Sequence, residues 1–573
     1  FILTLAGLFL IAGSLVALVR RYVLKVERVQ PSRPGVAPDP SDGLSLFWML
    51  LLAVQGFAVQ AVRLAANPDP YALWSPVGYV LSLPLTGIAQ ERLILAYQVL
   101  WWFHLLTTFG WIAWLPFGKM LHIFSATGSV FTSSLVSQPP ALQPIDFESV
   151  ERLGASALTD FIWKDLLDMD ACTTCGRCQA VCPAYASGAP LSPRNLILDL
   201  RDYMTAHGAR LAQGAADGAA PPEDVPPLVG GAVSEETVWA CTTCAACMQE
   251  CPVYIEHVPK IVEMRRYLVM EESRMPATLQ EALKSLEDRA HPYKGANAGR
   301  TDWCEGLDVP TADQAGEVDV LYWVGCTAAF DARNQKVARA FTQLLQLAGV
   351  KFAILGNEES CCGDPARRMG NEFLYDMIAR ANIETLKTYN PKRIVTTCPH
   401  CLNALGKEYR QFGGDFEVVH HTQLLKELVD AGRLSVRPEQ AASVTYHDPC
   451  YLGRYNGEYE APRALVGAAG GRLAEMGRNR SRSFCCGAGG GHAWMEAEGD
   501  GLRINQLRAG EAIATGAEAI AVACPFCLQM MEDGVKTVGE EDHTPRVRDV
   551  AELLLEAVEE TVTVPRLRPD QPD

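Results

Sequence analysis

The sequence predicts a multidomain protein: an N-terminal transmembrane helix bundle, then an α-helical cysteine-rich domain, then two tandem α/β domains. Three observations predict this. Uncharged apolar runs of membrane-crossing length occur only before about residue 120. Eighteen of the 19 cysteines fall into four short-spaced motifs. From about residue 316, one pattern of strands, helices and cysteines occurs twice. The boundaries read from these shifts are 1–125 (membrane part), 126–160 (linker), 161–290 (helical domain), 291–315 (linker), 316–435 and 436–560 (α/β domains) and 561–573 (tail).

The membrane part comes first. Phe1 to Val19, Leu44 to Val62 and Leu93 to Gly118 hold no charged residue, and about 20 such residues cross a hydrocarbon core. Trp74 to Ala89 is apolar but short, with two prolines, and reads as an interfacial or re-entrant piece. Arg20, Arg21, Lys25, Arg28 and Arg33 follow the first span. The positive-inside rule puts that loop in the cytoplasm. The second span then exits, the third returns, and everything after about residue 120 is cytoplasmic. The expectation is a multi-pass protein of the cell (inner) membrane. The chain begins at Phe1 within apolar sequence and reads as a fragment lacking its N-terminus, or as a processed chain. A signal peptide fits worse, because a basic turn follows with no small-residue cleavage site and more apolar spans come later.

His104 and His122 are 18 residues apart in "WWFHLLTTFGWIAWLPFGKMLHIF". In one helix that is five whole turns, so both rings face the same way, about 27 Å apart along the axis. This is close to the membrane thickness of about 30 Å. An ionisable residue in a span is a functional candidate, and histidine is a common axial haem ligand. The plainer reading makes His122 interfacial and His104 a packing residue. Pro116 lies between them as a possible kink. With "RRY" after a span and "SDGLSLFWMLLLAVQG", this region resembles the gamma subunit of respiratory nitrate reductase, a five-helix di-haem cytochrome b. The resemblance covers about residues 1–125. It implies haem b, two in the full-length protein. His104 would serve the haem on the outer, quinone-binding side, and His122 the one near the cytoplasm. In that family an earlier helix supplies the other two ligands, and this sequence has no histidines for them.

The net charge of −17 argues against nucleic acid, which attracts basic surfaces. It suits solubility and a basic partner surface. An odd cysteine count in short motifs points to metal, not disulfides. Cys304, in "TDWCEG", is left over and reads as a spare packing thiol.

"ACTTCGRCQAVCP" supplies Cys172, Cys175, Cys178 and Cys182, and "ACTTCAACMQECP" supplies Cys241, Cys244, Cys247 and Cys251. Both are C-x2-C-x2-C-x3-C-P, the pattern of two-cluster bacterial ferredoxins, in which the fourth cysteine reaches the other cluster. Cys172, Cys175, Cys178 and Cys251 are therefore expected at one [4Fe–4S] cubane, and Cys241, Cys244, Cys247 and Cys182 at a second. Structural zinc would allow looser spacing than this repeated run. The long insert, with its Gly/Ala/Pro-rich "AQGAADGAAPPEDVPP", reads as an exposed loop. The layout resembles the helical ferredoxin domains of fumarate reductase and heterodisulfide reductase subunits.

In the first α/β copy, "DVLYWVGC" leads to Cys326, "KFAIL" to Cys361 and Cys362, and "RIVTTCPHC" to Cys398 and Cys401. In the second, "SVTYHDPC" ends on Cys450, "FCCG" holds Cys485 and Cys486, and "AIAVACPFC" ends on Cys524 and Cys527. Apolar β-branched runs alternating with helical periods argue for α/β layers. The cysteines fall where open α/β sheets place their sites, after the strands. Adjacent cysteines do not easily bridge each other. Five thiols per copy are one more than a cubane uses, so either the cluster is distorted or extended, or one thiol is a spectator at a four-ligand site. Glycines beside the pairs are expected to let the backbone approach the cluster. The pattern resembles the CCG domains of heterodisulfide reductase catalytic subunits. It implies one or two noncubane [4Fe–4S] clusters, with Cys450, Cys485, Cys486, Cys524 and Cys527 as the catalytic set. His447 and His492 are candidate proton donors, or residues that shape the loops.

No flavin or nicotinamide fingerprint is present, since "GAGGGH" lacks the last glycine of G-x-G-x-x-G, and no Ser/His/Asp signature stands out. The whole arrangement resembles the membrane iron–sulfur oxidoreductases that work with electron-transfer flavoprotein. This implies electrons from that flavoprotein, or another flavoprotein dehydrogenase, passing to menaquinone in the bilayer. The alternatives are a heterodisulfide reductase-like disulfide reductase driven by a membrane carrier, and a wiring subunit of a lactate or glycerol-3-phosphate dehydrogenase complex.

Overall fold

The computed structural model describes residues 1–30, 40–133, 142–150, 152–216, 222, 224–436, 442–496, 501–539 and 544–558. Arg33 and the tail 561–573 lie outside these residues. The chain divides into two units, Phe1–Thr132 with Leu167–Gly176, and Ser133–Leu166 with Arg177–Asp573.

In the first unit, Ile2–Val23, Pro40–Ala66 and Gln90–Phe117 are helices long and apolar enough to cross a membrane. Leu3, Phe9, Trp102, Phe103 and Phe109 are exposed along them, the outer surface that a lipid-facing helix requires. A Cβ at Gly7 would lie 2.8 Å from the Phe57 ring, so this glycine lets the first two helices close on each other. The apolar stretch from Trp74 contains a short helix, Pro76–Ser82. Gln60 of the second span donates to Ser75 at its start, 2.8 Å away.

The expectation that His104 and His122 share one helix is corrected. The α-helix from Gln90 ends at Trp114, and two 3-10 turns follow, Leu115–Phe117 and Lys119–Leu121, before a new helix, His122–Phe131. Pro116 has no N–H to donate and its ring crowds the preceding turn. Gly118 sits extended between the turns (φ −120°, ψ −176°), where a Cβ would lie 2.7 Å from the Trp114 ring. Counting five turns through this break has no physical basis.

The second unit holds the helical cysteine-rich part from Arg177 onward and two four-stranded parallel sheets. The strands are β1 (Val320–Trp323), β2 (Phe352–Ile354), β3 (Ile394–Thr396), β4 (Val418–His420), β5 (Ser443–Tyr446), β6 (Arg472–Leu473), β7 (Ala519–Val522) and β8 (Arg546–Asp549). Their orders are β2-β1-β3-β4 and β6-β5-β7-β8, and all pairings are parallel. β1 and β3 are wholly buried, as parallel strands covered on both faces are. One apolar core runs through both copies, with Tyr322, Phe341 and Val395 from the first and Tyr446, Ala521 and Val550 from the second. In each sheet the strand order reverses between β1 and β3, or β5 and β7. Open α/β sheets bind ligands at the carboxyl ends beside such a switch. In the helical part, Ala212–Ala216, expected to open the exposed loop, instead finish the helix Pro193–Ala216.

Candidate metal centre

The first copy brings its five cysteines together. Cys326 starts the short helix after β1, Cys398 caps the helix Pro399–Asn403 after β3, and Cys401 lies in that helix's first turn. Cys361 and Cys362 are held by their backbone: the Cys361 N–H donates to Ala290 O at 2.8 Å, Asn382 donates to Cys361 O at 2.9 Å, and Tyr409 donates to Cys362 O at 3.0 Å. The thiols interact in sequence, Cys326 with Cys361, Cys361 with Cys362, Cys362 with Cys401, and Cys401 with Cys398. The second copy repeats this order, with Cys450, Cys485, Cys486, Cys527 and Cys524. Cys527 and Cys486 are 3.3 Å apart, well beyond a disulfide bond of about 2.05 Å.

All ten thiols are buried and unbridged. Hydrogen bonds from neighbouring thiols pull Cys362, Cys485 and Cys486 below the usual thiol range. Hydrogen bonding to the Cys361 and Cys485 sulfurs, then burial, pushes Cys326 and Cys450 well above it. Five buried, unbridged sulfurs gathered in each copy, those of the first lining one pocket, fit a polynuclear iron–sulfur group.

The glycines of the pairs also shape the local backbone. Gly363 and Gly487 turn the chain through left-handed backbone (φ +82° and +98°), and their missing Cβ atoms would press on Tyr375 and Ile504. Gly325 is the glycine that faces a thiol, since its Cβ would lie 3.5 Å from Cys401 Sγ.

In the helical part, Cys182 of the first motif lies close enough to Cys241, Cys244 and Cys247 to interact with them electrostatically. The Thr243 N–H donates to Cys241 Sγ at 3.3 Å, and the Ile255 N–H to Cys251 Sγ at 3.3 Å. Thr243 and Ala245 hold left-handed backbone (φ +51° and +58°), as do Thr174 and Gly176 at the equivalent positions of the first motif (φ +53° and +72°). Strained non-glycine residues of this kind cluster at functional loops. Cys172 and Cys175 belong to the unit of apolar helices, and Cys178 and Cys182 to the other.

The second cysteine motif meets the second α/β copy directly. Cys244 lies close enough to Cys485 for the two thiols to interact. Around that contact, Tyr455 donates to Thr243 O at 2.7 Å, Arg454 donates to Cys244 O at 3.2 Å, and the Tyr451 and Thr243 hydroxyls lie 3.1 Å apart. Cβ atoms at Gly489 and Gly490 would each lie 2.3 Å from the carbonyls of Thr242 and Cys241. The glycine run is therefore a docking surface for the ferredoxin-like loop. His492, in the next turn, donates from Nε2 to Trp239 O at 2.9 Å, a loop-shaping contact. His447 faces the thiols: a ring nitrogen lies within 4.8 Å of the Cys486 and Cys527 sulfurs.

Spacing alone did not reveal a buried pair in the first copy. His400 Nδ1 lies 2.8 Å from Asp364 Oδ2, and both line a pocket with Cys326, Cys361, Cys362, Cys398 and Cys401. The signal was available in a comparison of the repeats, since His400 falls where the second copy has Phe526, and Asp364 where it has Ala488. His104 is half-buried, with Nδ1 3.3 Å from Gln55 Oε1.

Family models agree with this division. A cysteine-rich domain (CCG) matches residues 320–406 and 444–532, and a 4Fe-4S dicluster domain matches 171–255. The EtfAB:quinone oxidoreductase of Syntrophomonas wolfei is 37% identical, over 98% of this chain and 82% of that protein. The probable iron-sulfur-binding oxidoreductase FadF of Bacillus subtilis is 39% identical, over 95% of this chain and 80% of that protein. A dihydromethanophenazine:CoB–CoM heterodisulfide reductase polypeptide of Methanosarcina barkeri is 33% identical, over 69% of this chain and 95% of that protein. Two near-full-length relatives and matching cysteine domains make this chain a member of the iron–sulfur oxidoreductase family that includes EtfAB:quinone oxidoreductase.

Proposed function

We propose that this oxidoreductase carries electrons from a reduced electron-transfer flavoprotein to a menaquinone in the membrane. Cys172, Cys175, Cys178 and Cys251 hold one cubane, and Cys241, Cys244, Cys247 and Cys182 hold a second. Cys326, Cys361, Cys362, Cys398 and Cys401, and Cys450, Cys485, Cys486, Cys524 and Cys527, each hold a noncubane cluster. Bound there, these groups supply one-electron steps between a two-electron flavin donor and a two-electron quinone acceptor. The observation that carries the proposal is the seating of the second cysteine motif on the second α/β copy, through Tyr455 and Arg454 on Thr243 O and Cys244 O, which brings Cys244 near Cys485, a ligand of one proposed centre near a ligand of the next. The names of the relatives supply the partners. The positive charges of Arg20, Arg21, Lys25 and Arg28 support a cytoplasmic side for the loop after the first span and for the cysteine domains.

His104 and His122 are the haem b candidates. His104 fits in one respect: its Nδ1 engages Gln55, leaving Nε2 for iron, as ligating histidines do. For His122 the case is the family resemblance alone. A pyridine haemochrome spectrum of the purified chain decides whether haem is held.

The test of function mixes the anaerobically purified protein with reduced electron-transfer flavoprotein and a soluble menaquinone analogue. Catalytic quinone reduction is expected, and its absence refutes the reading. One observation favours a second reading, cleavage of a disulfide substrate by two electrons and two protons: His400 and Asp364 stand beside the first copy's thiols in a pocket. Disulfide-dependent oxidation of the clusters, with no response to the flavoprotein, would select it.

A further inference from the structure

His447 sits where a metal ligand would be expected, yet its hydrogen bonds give it a different task. It follows β5, and its backbone N–H donates to Ala521 O of β7 at 2.9 Å. The backbone of His447 is thus pinned at the switch point of the second sheet. It is 1% exposed, and one ring nitrogen groups with the Cys486 and Cys527 sulfurs within 4.8 Å. By distance alone this is a three-ligand site.

Arg508 decides otherwise. Its Nε donates to His447 Nδ1 at 3.0 Å. The guanidinium is itself buried and held by Arg478 O at 2.9 Å and Glu511 at 2.7 Å. A guanidinium keeps its protons and accepts no hydrogen bond, so Nδ1 must present its lone pair. An imidazolium would carry a proton on Nδ1 as well, so the ring is neutral while this bond stands. A neutral imidazole has one N–H, and here it must be on Nε2. That atom is buried and has no hydrogen-bond partner among the described residues. With its lone pair replaced by a proton, Nε2 cannot bind iron and can only donate.

The first copy gives independent support. Three residues before Cys326, where the second copy has His447, stands Trp323. It too is fully buried, with Nε1 unpartnered among the described residues. An indole donates and never ligates. Both copies therefore keep an orphaned ring N–H at the end of the strand that leads to their first cysteine.

We propose that His447 is a hydrogen-bond donor from Nε2 to sulfur of the cluster held by the second copy, and that it raises that cluster's reduction potential. A donor to cluster sulfur stabilises the more negative, reduced state. The inference rests on the reading that this copy holds an iron–sulfur cluster.

The test uses the full chain grown with 15N-histidine and examined by pulsed electron paramagnetic resonance. Wild type is expected to show a weak 15N coupling to the second-copy cluster, lost in His447→Gln, whose carboxamide donates through unlabelled nitrogen. In a redox titration, His447→Gln should titrate close to wild type. His447→Phe should titrate at lower potential, with the cubane signals unmoved. A strong coupling typical of bound nitrogen, no coupling, or an unmoved midpoint in a cluster-loaded His447→Phe protein overturns the inference. If His447→Phe fails to load its cluster, the labelled wild type and His447→Gln still decide. A wild-type second copy without any cluster signal overturns the underlying reading as well.

Discussion

The two α/β copies hold five thiols each in the same order of contact, yet the residues just beyond the paired cysteines diverge. After Cys362 the first copy reads Gly-Asp-Pro-Ala-Arg-Arg, and after Cys486 the second reads Gly-Ala-Gly-Gly-Gly-His. Proline at the first turn suits a helix start, and the first copy forms a helix there, Asp364–Met369. The second forms a glycine turn that lies on the carbonyls of Cys241 and Thr242. Likewise His400 and Asp364 pair beside the first set of sulfurs, while Phe526 and Ala488 occupy those places in the second. The duplication kept the thiols and let their surroundings specialise. One copy is built to receive the ferredoxin-like loops, and the other has a buried acid–base pair in its pocket.

The largest effect expected from this difference follows the thiols themselves. Cys485→Ala removes the sulfur that interacts with both Cys450 and Cys244. It should abolish the second-copy cluster signal, spare the cubanes, and lower flavoprotein-driven quinone reduction by more than about 100-fold, beyond the effect of losing one supporting hydrogen bond. Cys362→Ala should erase the other noncubane signal while the second copy can still be reduced through the ferredoxin-like domain. Electron paramagnetic resonance of the two variants reads both outcomes. Loss of the same signal in both, or of neither, would break the division between the copies.

A smaller effect is expected at the glycine turn. Gly490→Ala puts a Cβ on left-handed backbone (φ +66°), 2.3 Å from Cys241 O. Backbone strain and overpacking together should cost about 2–5 kcal/mol and slow electron entry into the second copy. Gly349→Ala in the first copy has a similar φ, +62°, with nothing within 4 Å, and should cost only about 1–2 kcal/mol. Chemical denaturation of the two variants compares them. Equal losses would mean that the glycine run answers to backbone conformation alone.

These contrasts show where sequence reasoning reached its limit. The cysteine motifs and the strands β1, β3, β5 and β7 were legible, because largely buried parallel strands leave β-branched and apolar residues next to the ligands they position. β8, Arg-Val-Arg-Asp, was not, since it is an edge strand with charged residues. The contact of Cys244 with Cys485 was beyond reach, because it depends on how two domains dock. The role of His447 depends on Arg508, 61 residues away, and no local motif contains both. The histidine spacing in the membrane part misled, because an 18-residue interval has a phase only if the helix is unbroken, and Pro116 and Gly118 break it.

The smallest effect expected concerns one helix cap that differs between the copies. Asp549 caps the helix Val550–Ala557 in the second, accepting from the Ala551 N–H at 2.9 Å. At the same place the first copy has His420, before the helix His421–Asp430, with Nδ1 2.7 Å from the Thr422 hydroxyl. Burial, then His421, holds His420 well below its ordinary range. The unfolded chain therefore binds the proton more readily than the folded one. The stability this neutral ring permits is complete above the unfolded pKa of about 6.5 and declines as pH falls below it. Between pH 7.5 and 5.5 the loss from this site should be about 1.4 kcal/mol. His420→Asn, which can still cap the helix, should remove that share of the acid sensitivity. Denaturation of the cluster-loaded protein at the two pH values measures it. An unchanged pH difference in the variant would show that His420 does not set the first copy apart in this respect.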